Sequence, residues 1–200
     1  MDYFLKFIIA SLLLPTFKGI IIAIGVDMTN PIQSILNQRS ISRIRRNHGL
    51  EHATMTILAQ RFPNTPMAGR SNTIGFWLLG EVPTEAVQEA VTEALARLKA
   101  GEHHLAVHPH CGTNYVVSGT LAGLAGATAM SGVGPRFRDK LDRIPLAASL
   151  ATMALIASQP LASLLQARLT TSGEPGDLEV VEVLPTRRGG IMAHHVVTQG

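Results

Sequence analysis

The sequence predicts a mainly α-helical membrane protein with a small β component. The chain has 200 residues, of which 46% are hydrophobic and only 16% are charged, whereas typical soluble domains carry about 25% charged residues. Two stretches without a charged residue, 115–134 and 145–166, each have the length of about 20 residues that a transmembrane helix needs. A third apolar stretch lies near the N-terminus, so membrane-embedded segments are expected on both sides of a polar middle region.

The apolar pattern divides the chain into four parts. We expect an N-terminal membrane anchor at 1–26, a polar α+β region with a candidate metal site at 27–114, a transmembrane helical hairpin at 115–166 and a C-terminal tail with a β-hairpin at 167–200. A chain of this length can bury a sizeable core.

The N-terminal stretch, residues 4–26, is long enough for one transmembrane helix. Pro15 and Lys18 interrupt it, and a lysine near the middle of a bilayer is costly. A kinked span and a re-entrant hairpin that turns near Pro15 both remain open. A cleaved signal peptide is the weaker interpretation, because no small-x-small cleavage site follows the apolar core.

The polar region is predicted to contain helices and a strand. Ser40 or Ser42 can cap a helix that runs to about residue 60. The composition of 63–73 predicts a loop, and the short apolar run 74–80 between turn signals predicts a buried strand.

An amphipathic helix follows, with Thr84 as its expected N-cap and Lys99 and Gly101 at its C-terminal end. Its apolar stripe has helical spacing. The stripe consists of Val87, Val91, Leu95 and Leu98.

The two charge-free stretches are interpreted as the helices of a transmembrane hairpin. Gly119 and Gly123 form a G-x-x-x-G pair, which is expected to face the neighbouring helix in lipid. The alternative is a buried helical pair in a soluble protein. In the tail, DLEVVEV alternates like a strand, 187–190 is a turn signal and IMAHHVVT is the predicted returning strand.

The charge pattern favours a membrane over a nucleic acid as partner. The net charge is only +3, and aromatic residues, which stack on bases, make up 4% of the chain. Arginines cluster directly after the first apolar stretch, which favours a cytoplasmic metal-site region in an integral cell-membrane protein. They are Arg39, Arg43, Arg45 and Arg46. The basic loop 136–143 favours the cytoplasm by the same rule, and a full span at 115–134 does not satisfy both.

A candidate metal site begins at HGLEH, residues 48–52. On a helix, His48 and His52 lie four positions apart on one face, where both imidazoles can bind one metal ion. Glu51 lies beside the second histidine and is the candidate catalytic base. A lone H-x-x-E-H is a weak signal, so a second set of ligands is needed to support it.

HPHCGTN, residues 108–114, supplies that second set. His108 and Cys111 have H-x-x-C spacing, which lets one turn present an imidazole and a thiolate, and Gly112 permits a tight backbone. Cys111 is the only cysteine, so no intramolecular disulfide forms. Its thiolate is a good ligand for zinc. The candidate metal ligands are therefore His48, His52, Cys111 and His108.

The other histidines carry weaker signals. His110 lies inside the second motif but between the two better-spaced residues, so its role stays open. The remaining four are expected at the surface. They are His103, His104, His194 and His195.

The paired motifs resemble those of an uncharacterised family of bacterial membrane proteins, some of which are described as metal-dependent enzymes. In that family an H-G-x-E-H segment is followed by an H-P-x-C-G-T segment that runs directly into a transmembrane helix. The two segments stand here at 48–52 and 108–113, and the similarity spans roughly residues 44–130. H-x-x-E-H is also distantly similar to the inverzincin motif. However, this chain has no glutamate between Glu102 and Glu174 to act as the third ligand of an inverzincin.

Two functions follow from these motifs. The first is a membrane-bound zinc-dependent hydrolase of the peptidase class, with Glu51 as general base for a water activated by zinc. The second is a closed structural site in which His108 supplies a fourth ligand, in a non-catalytic scaffold or assembly factor of a larger membrane complex. The expected partners are the lipid bilayer and a membrane protein, with no nucleic acid.

Overall fold

The computed structural model describes residues 29–200. The expected N-terminal anchor lies outside the described residues. The chain divides into two compact units, 1–38 and 39–200. The described part of the first unit contains helix α1, Thr29–Leu36.

The second unit is mainly helical with one four-stranded sheet, which confirms the predicted composition of the fold. Its helices are α2 (Arg39–Arg61), α3 (Thr84–Lys99), α4 (Gly112–Met130) and α5 (Phe137–Leu165). Its strands are β1 (Ala68–Asn72), β2 (Gly75–Leu79), β3 (Glu179–Arg188) and β4 (Ile191–Gln199). A 3-10 turn, His103–Ala106, precedes α4, and a π-helical turn, Gln166–Thr170, follows α5.

The sheet is antiparallel, with the strand order β1-β2-β4-β3. The C-terminal hairpin predicted from the tail is present, and it turns at Gly189 and Gly190, whose φ angles are +57° and +83°. Its second strand pairs with β2, so the tail completes a sheet that begins in the polar region. Local sequence patterns carry no signal for this long-range pairing.

One strand contradicts the prediction. The composition of 63–73 predicts a loop, yet Ala68–Asn72 is strand β1. Its sequence, AGRSN, lacks the β-branched and aromatic residues that favour strands. It forms because the apolar strand β2 supplies a hydrogen-bonding partner across a two-residue turn.

The core lies between the sheet and helices α2 and α3. Leu50, Phe76 and Val91 are fully buried there, from α2, β2 and α3 respectively. The predicted stripe of α3 packs on this core, with Leu95 only partly buried.

Two details of this core differ from the predictions. Pro83, not Thr84, occupies the N-cap position of α3. Instead, Thr84 places its hydroxyl 3.1 Å from Nε2 of His194. His194 was expected at the surface but is fully buried, because alternate residues of β4 face the helices. His195 faces the opposite side of the sheet and stacks on Trp77, with the ring centroids 4.2 Å apart.

Two arginines of the predicted membrane-flanking cluster bind the C-terminal part of the fold. Arg43 donates a hydrogen bond to the carbonyl oxygen of Thr198, and Arg45 donates to that of Thr171 at 3.1 Å. These contacts give a structural reason for arginine at both positions, separate from any orientation in a membrane.

Helices α4 and α5 pack side by side, with small residues at their contact. The hydroxyl of Ser158 donates to that of Ser118 at 2.7 Å, and both residues are buried. The expectation that Gly119 and Gly123 face the neighbouring helix is wrong, because a Cβ added at either meets no atom within 4 Å. The helical contact instead follows the stripe through Ser118 and Ala129, which begins one residue before Gly119.

The outward surface of this helical pair is apolar. Large side chains such as Leu124, Met153 and Ile156 are each at least 60% exposed. Among the described residues, the segment from α5 through the π turn, Phe137–Thr170, is the one helix long and apolar enough to cross a membrane. Only 11% of its most apolar window is buried, whereas the core helix of a soluble protein is mostly buried.

Candidate metal site

The structure brings together three of the four predicted ligands. His48 and His52 lie on one face of α2, and Cys111 occupies the N-cap position of α4. One ligand atom from each residue lies within 4.8 Å of the other two. The Sγ atom of Cys111 is 3.7 Å from Nε2 of His48. This spacing approaches what a single ion needs, since zinc bonds are about 2.0–2.3 Å long.

Backbone carbonyls hold both imidazole rings from behind. Nδ1 of His48 lies 3.0 Å from the carbonyl oxygen of Thr170, and Nδ1 of His52 lies 2.9 Å from that of Ala106. A carbonyl only accepts, so each ring donates through Nδ1–H and keeps Nε2 as its ligand atom. Metal-binding histidines in proteins are commonly oriented in this way.

Sequence reasoning missed the π turn that supports these rings. Thr170 ends the turn and supplies the carbonyl oxygen that holds His48, and Gln166 begins the turn with a fully buried side chain. Neither residue belongs to a recognisable motif. The available signal is structural, because π-helical turns are frequent at functional sites.

Cys111 is strongly acidified by its neighbours. Burial alone would raise the pKa of the thiol, but hydrogen bonds with His48, His52 and Thr113 lower it to about 4. For His48, burial lowers the pKa, but the hydrogen bond with Cys111 and the charge of Glu51 outweigh this effect and raise it. The hydrogen bond between them thus favours the thiolate form of Cys111 and the protonated form of His48.

Glu51 is buried beside the three ligands and is only 3% exposed. Burial raises the pKa of its carboxyl group, against the lowering effects of a hydrogen bond from the Ser71 hydroxyl and of the two histidines. Gly69 provides the room, since a Cβ there would lie 2.2 Å from a carboxylate oxygen of Glu51.

His108 lies near the three ligands without joining them. Its ring centroid is 5.8 Å from that of His52, and its Nδ1 accepts a hydrogen bond from the backbone N–H of His110 at 3.3 Å. Burial, followed by the charges of these two histidines, lowers its pKa. His108 lines the same cavity as the three ligands, but it is not one of the residues whose ligand atoms converge.

The three ligands and Glu51 line one open cavity of about 390 Å³. Gly69 of β1 and His110 also border it. The amide of Asn114 holds the ligand loop by donating to the carbonyl oxygens of His108 and Pro109, at 3.3 and 3.0 Å. The cavity lies in the volume range of small-molecule and substrate sites, roughly 300–1,000 Å³.

Alkylation of Cys111 in metal-free protein should report its acidity directly, because the chain has no other thiol. We expect the iodoacetamide rate to be constant from pH 8 to 5 and to fall by half near the thiol pKa of about 4. In His48→Ala, loss of the first hydrogen-bonding partner should move this midpoint upward. A wild-type rate that still rises tenfold per pH unit between 6 and 8 would contradict this electrostatic account.

Comparison with known proteins identifies the family. The model of a family described as "Domain of unknown function (DUF6391)" matches residues 43–183, which is more than half of the chain. The chain belongs to this family. The DUF6391 segment includes the three converging ligands, Glu51 and the π turn. The result confirms the predicted relationship to an uncharacterised family.

The chain is also similar to an uncharacterized protein of Picosynechococcus sp. The two are 43% identical over 101 residues, which cover 46% of this chain and 49% of the relative. The chain thus matches about half the length of this relative. No solved structure matches the chain.

Proposed function

We propose that this DUF6391 protein is a membrane-bound zinc-dependent hydrolase of the peptidase class. One observation carries the proposal: His48, His52 and Cys111 converge beside the Glu51 carboxylate in a single open cavity. Catalytic zinc sites typically have three protein ligands and one open position. His108, which would close the site, is not among the residues whose ligand atoms converge.

The donor set fits zinc. The ligand set consists of two imidazoles, each oriented through its Nδ1–H, and one thiolate. Zinc binds nitrogen and sulfur ligands of this kind well, whereas magnesium and calcium prefer oxygen ligands. The Thr170 and Ala106 carbonyls hold the rings in place before an ion binds. Zinc bound there would act as a Lewis acid and lower the pKa of a water in its open position.

Glu51 is the proposed general base. Its carboxylate takes a proton from water as the water oxygen attacks the carbonyl carbon of the substrate. It then returns that proton to the leaving nitrogen as the carbon–nitrogen bond breaks, which yields a carboxylate and an amine. The Ser71 hydroxyl holds the carboxylate in place by a hydrogen bond.

The alternative is a structural site in a scaffold or assembly factor of a larger membrane complex. It would require a fourth protein ligand and no access for substrate. The engaged Nδ1 of His108 and the open cavity argue against this function. Glu51 also argues against it, since a structural site does not need a buried carboxylate.

We also propose that α4 and α5 form a hairpin embedded in the cell membrane. Small residues at their contact and large apolar residues on their outer surface match packing in lipid, where helices associate without a hydrophobic driving force. Most of the apolar segment of α5 is exposed in the structure. In a membrane, lipid tails would cover this surface. The metal site would then lie at the membrane surface, on the cytoplasmic side that the arginines of α2 favour, and the basic loop 136–143 would lie on the opposite side. The expected partners are the bilayer and a membrane protein.

Labelling of new protein N-termini tests the peptidase activity and identifies the substrate in the same experiment. Carbonate-washed membranes, which should retain the protein, are incubated with zinc and their new N-termini are identified by mass spectrometry. We expect defined cleavage products with the wild type that disappear after chelation and return with added zinc. Identical N-termini in membranes containing wild type and Cys111→Ser would refute peptidase activity.

A further inference from the structure

One edge of the sheet borders the cavity that contains the candidate metal site. The strand order β1-β2-β4-β3 makes β1 and β3 the two edge strands. Ala68 and Gly69 of β1 line the cavity, and both are exposed.

The hydrogen bonds between β2 and β4 determine which groups of β1 are free. The N–H of Thr198 donates to the carbonyl oxygen of Ile74 at 2.9 Å, and that of Gly80 donates to Met192 at 3.0 Å. Positions 74 and 80 thus bond to β4. Since bonding direction alternates along an antiparallel strand, the main chain of residues 75, 77 and 79 bonds to β1.

The register between β1 and β2 determines which residues of β1 bond to β2. Arg70 is opposite Trp77, so its main-chain groups bond to β2. The N–H and C=O groups of Gly69 and Ser71 therefore point away from the sheet. Within residues 29–200, no further main-chain hydrogen bond to either residue is present.

The two edges of the sheet differ in their protection against strand pairing. Strand β3 contains Pro185, which has no N–H, an exposed charge at Glu182 and a register shift between Val180 and Glu182. Such features block the addition of another strand. Strand β1 has neither a proline nor a register shift, and its one charged residue is the exposed Arg70.

Gly69 lies directly below the proposed general base. A Cβ on Gly69 would be 2.2 Å from the Glu51 carboxylate, so this residue lies immediately below it. Strands pair at a spacing of about 4.8 Å. A strand added to β1 would therefore lie about 4.8 Å from Gly69, along the border of the cavity that Glu51 also lines.

We propose that the free edge of β1 binds an extended polypeptide by main-chain hydrogen bonds to Gly69 and Ser71, and so presents a peptide bond to Glu51. This inference rests on the proposed function and identifies its substrate class. Recognition by strand addition uses the main chain for affinity. The substrate is therefore an unfolded or extended segment, and a helical segment must unwind before it binds.

Glu51→Gln protein in detergent, which cannot turn over substrate, is the reagent for the test. It is screened against a bead-displayed library of random octapeptides, and selected peptides are resynthesised with alternate backbone amides N-methylated. We expect N-methylation to weaken binding at least tenfold, because it removes the donors that a paired strand uses. Hydrogen exchange at residue resolution should show slowing at Gly69 and Ser71 on peptide binding. Arg70, already bonded to β2, and the β3 edge should not change.

Three results would overturn the inference: no selected peptide, affinity that N-methylation leaves unchanged, or protection confined to β3. A dimer paired through β1 in light scattering and cross-linking would also overturn it, since a second copy would then cover this edge. Peptide binding by a protein that takes up no zinc would refute the hydrolase and leave strand addition intact. Zinc-dependent cleavage without peptide binding at β1 would support the hydrolase and refute strand addition.

Discussion

Glu51→Gln is expected to abolish hydrolysis while the protein keeps its zinc and its fold. The amide has nearly the same shape as the carboxylate and can still hydrogen-bond to the Ser71 hydroxyl. It cannot accept the proton of the attacking water. General bases contribute about 10²- to 10⁴-fold to rates, and cleavage should fall by that factor.

The rate of product formation in the labelled-N-terminus assay measures this effect, alongside zinc content and thermal unfolding of the same preparation. Glu182→Gln is the matched control, because Glu182 is exposed on β3. It should leave all three quantities unchanged. A Glu51→Gln protein with full zinc and full cleavage would rule out the proposed role of Glu51.

Gly49→Ala is expected to disrupt both the fold and the metal site. A Cβ on Gly49 would lie 2.0 Å from the backbone carbonyl oxygen of Ser172 and 3.2 Å from Cβ of Ala106. Relief requires α2 to move away from the segment whose Thr170 carbonyl holds His48. Overpacking of this kind typically costs about 1–3 kcal/mol and occasionally more. The free energy of unfolding should fall by that amount, and zinc affinity should fall with it.

Gly123→Ala is the matched control for this substitution. Gly123 also lies inside a helix, but a Cβ there meets nothing within 4 Å. Alanine is favoured over glycine in helices by about 1 kcal/mol, so stability should be unchanged or slightly higher. Denaturant unfolding and zinc titration of both variants check the prediction. Equal stability of Gly49→Ala and wild type would show that α2 is not packed as described.

The candidate site could be predicted from sequence where local spacing fixes geometry. His48 and His52 share a helical face because they are four residues apart, and that spacing is visible in the sequence. The convergence of Cys111 on them depends on packing between α2 and the start of α4. The sequence suggests this contact only through a second ligand motif with H-x-x-C spacing, which contains the single cysteine of the chain.

The features of the fold and the site that the sequence does not predict depend mainly on contacts between segments. Gly49 looks like a neutral member of HGLEH, yet it permits the close approach of Ser172. Strand β1 has no strand-like composition and forms because β2 pairs with it. His108 has good spacing for a ligand, but a local hydrogen bond from His110 engages its Nδ1. Propensity and motif spacing describe none of these effects.

The zinc content of the purified protein tests the central claim most directly. Elemental analysis is compared for wild type, Cys111→Ser and His108→Ala after equilibration with a slight excess of zinc and gel filtration. The three-ligand account predicts about one zinc per chain in the wild type and in His108→Ala, and almost none in Cys111→Ser. No bound zinc in the wild type, or equal zinc in Cys111→Ser and the wild type, would contradict it.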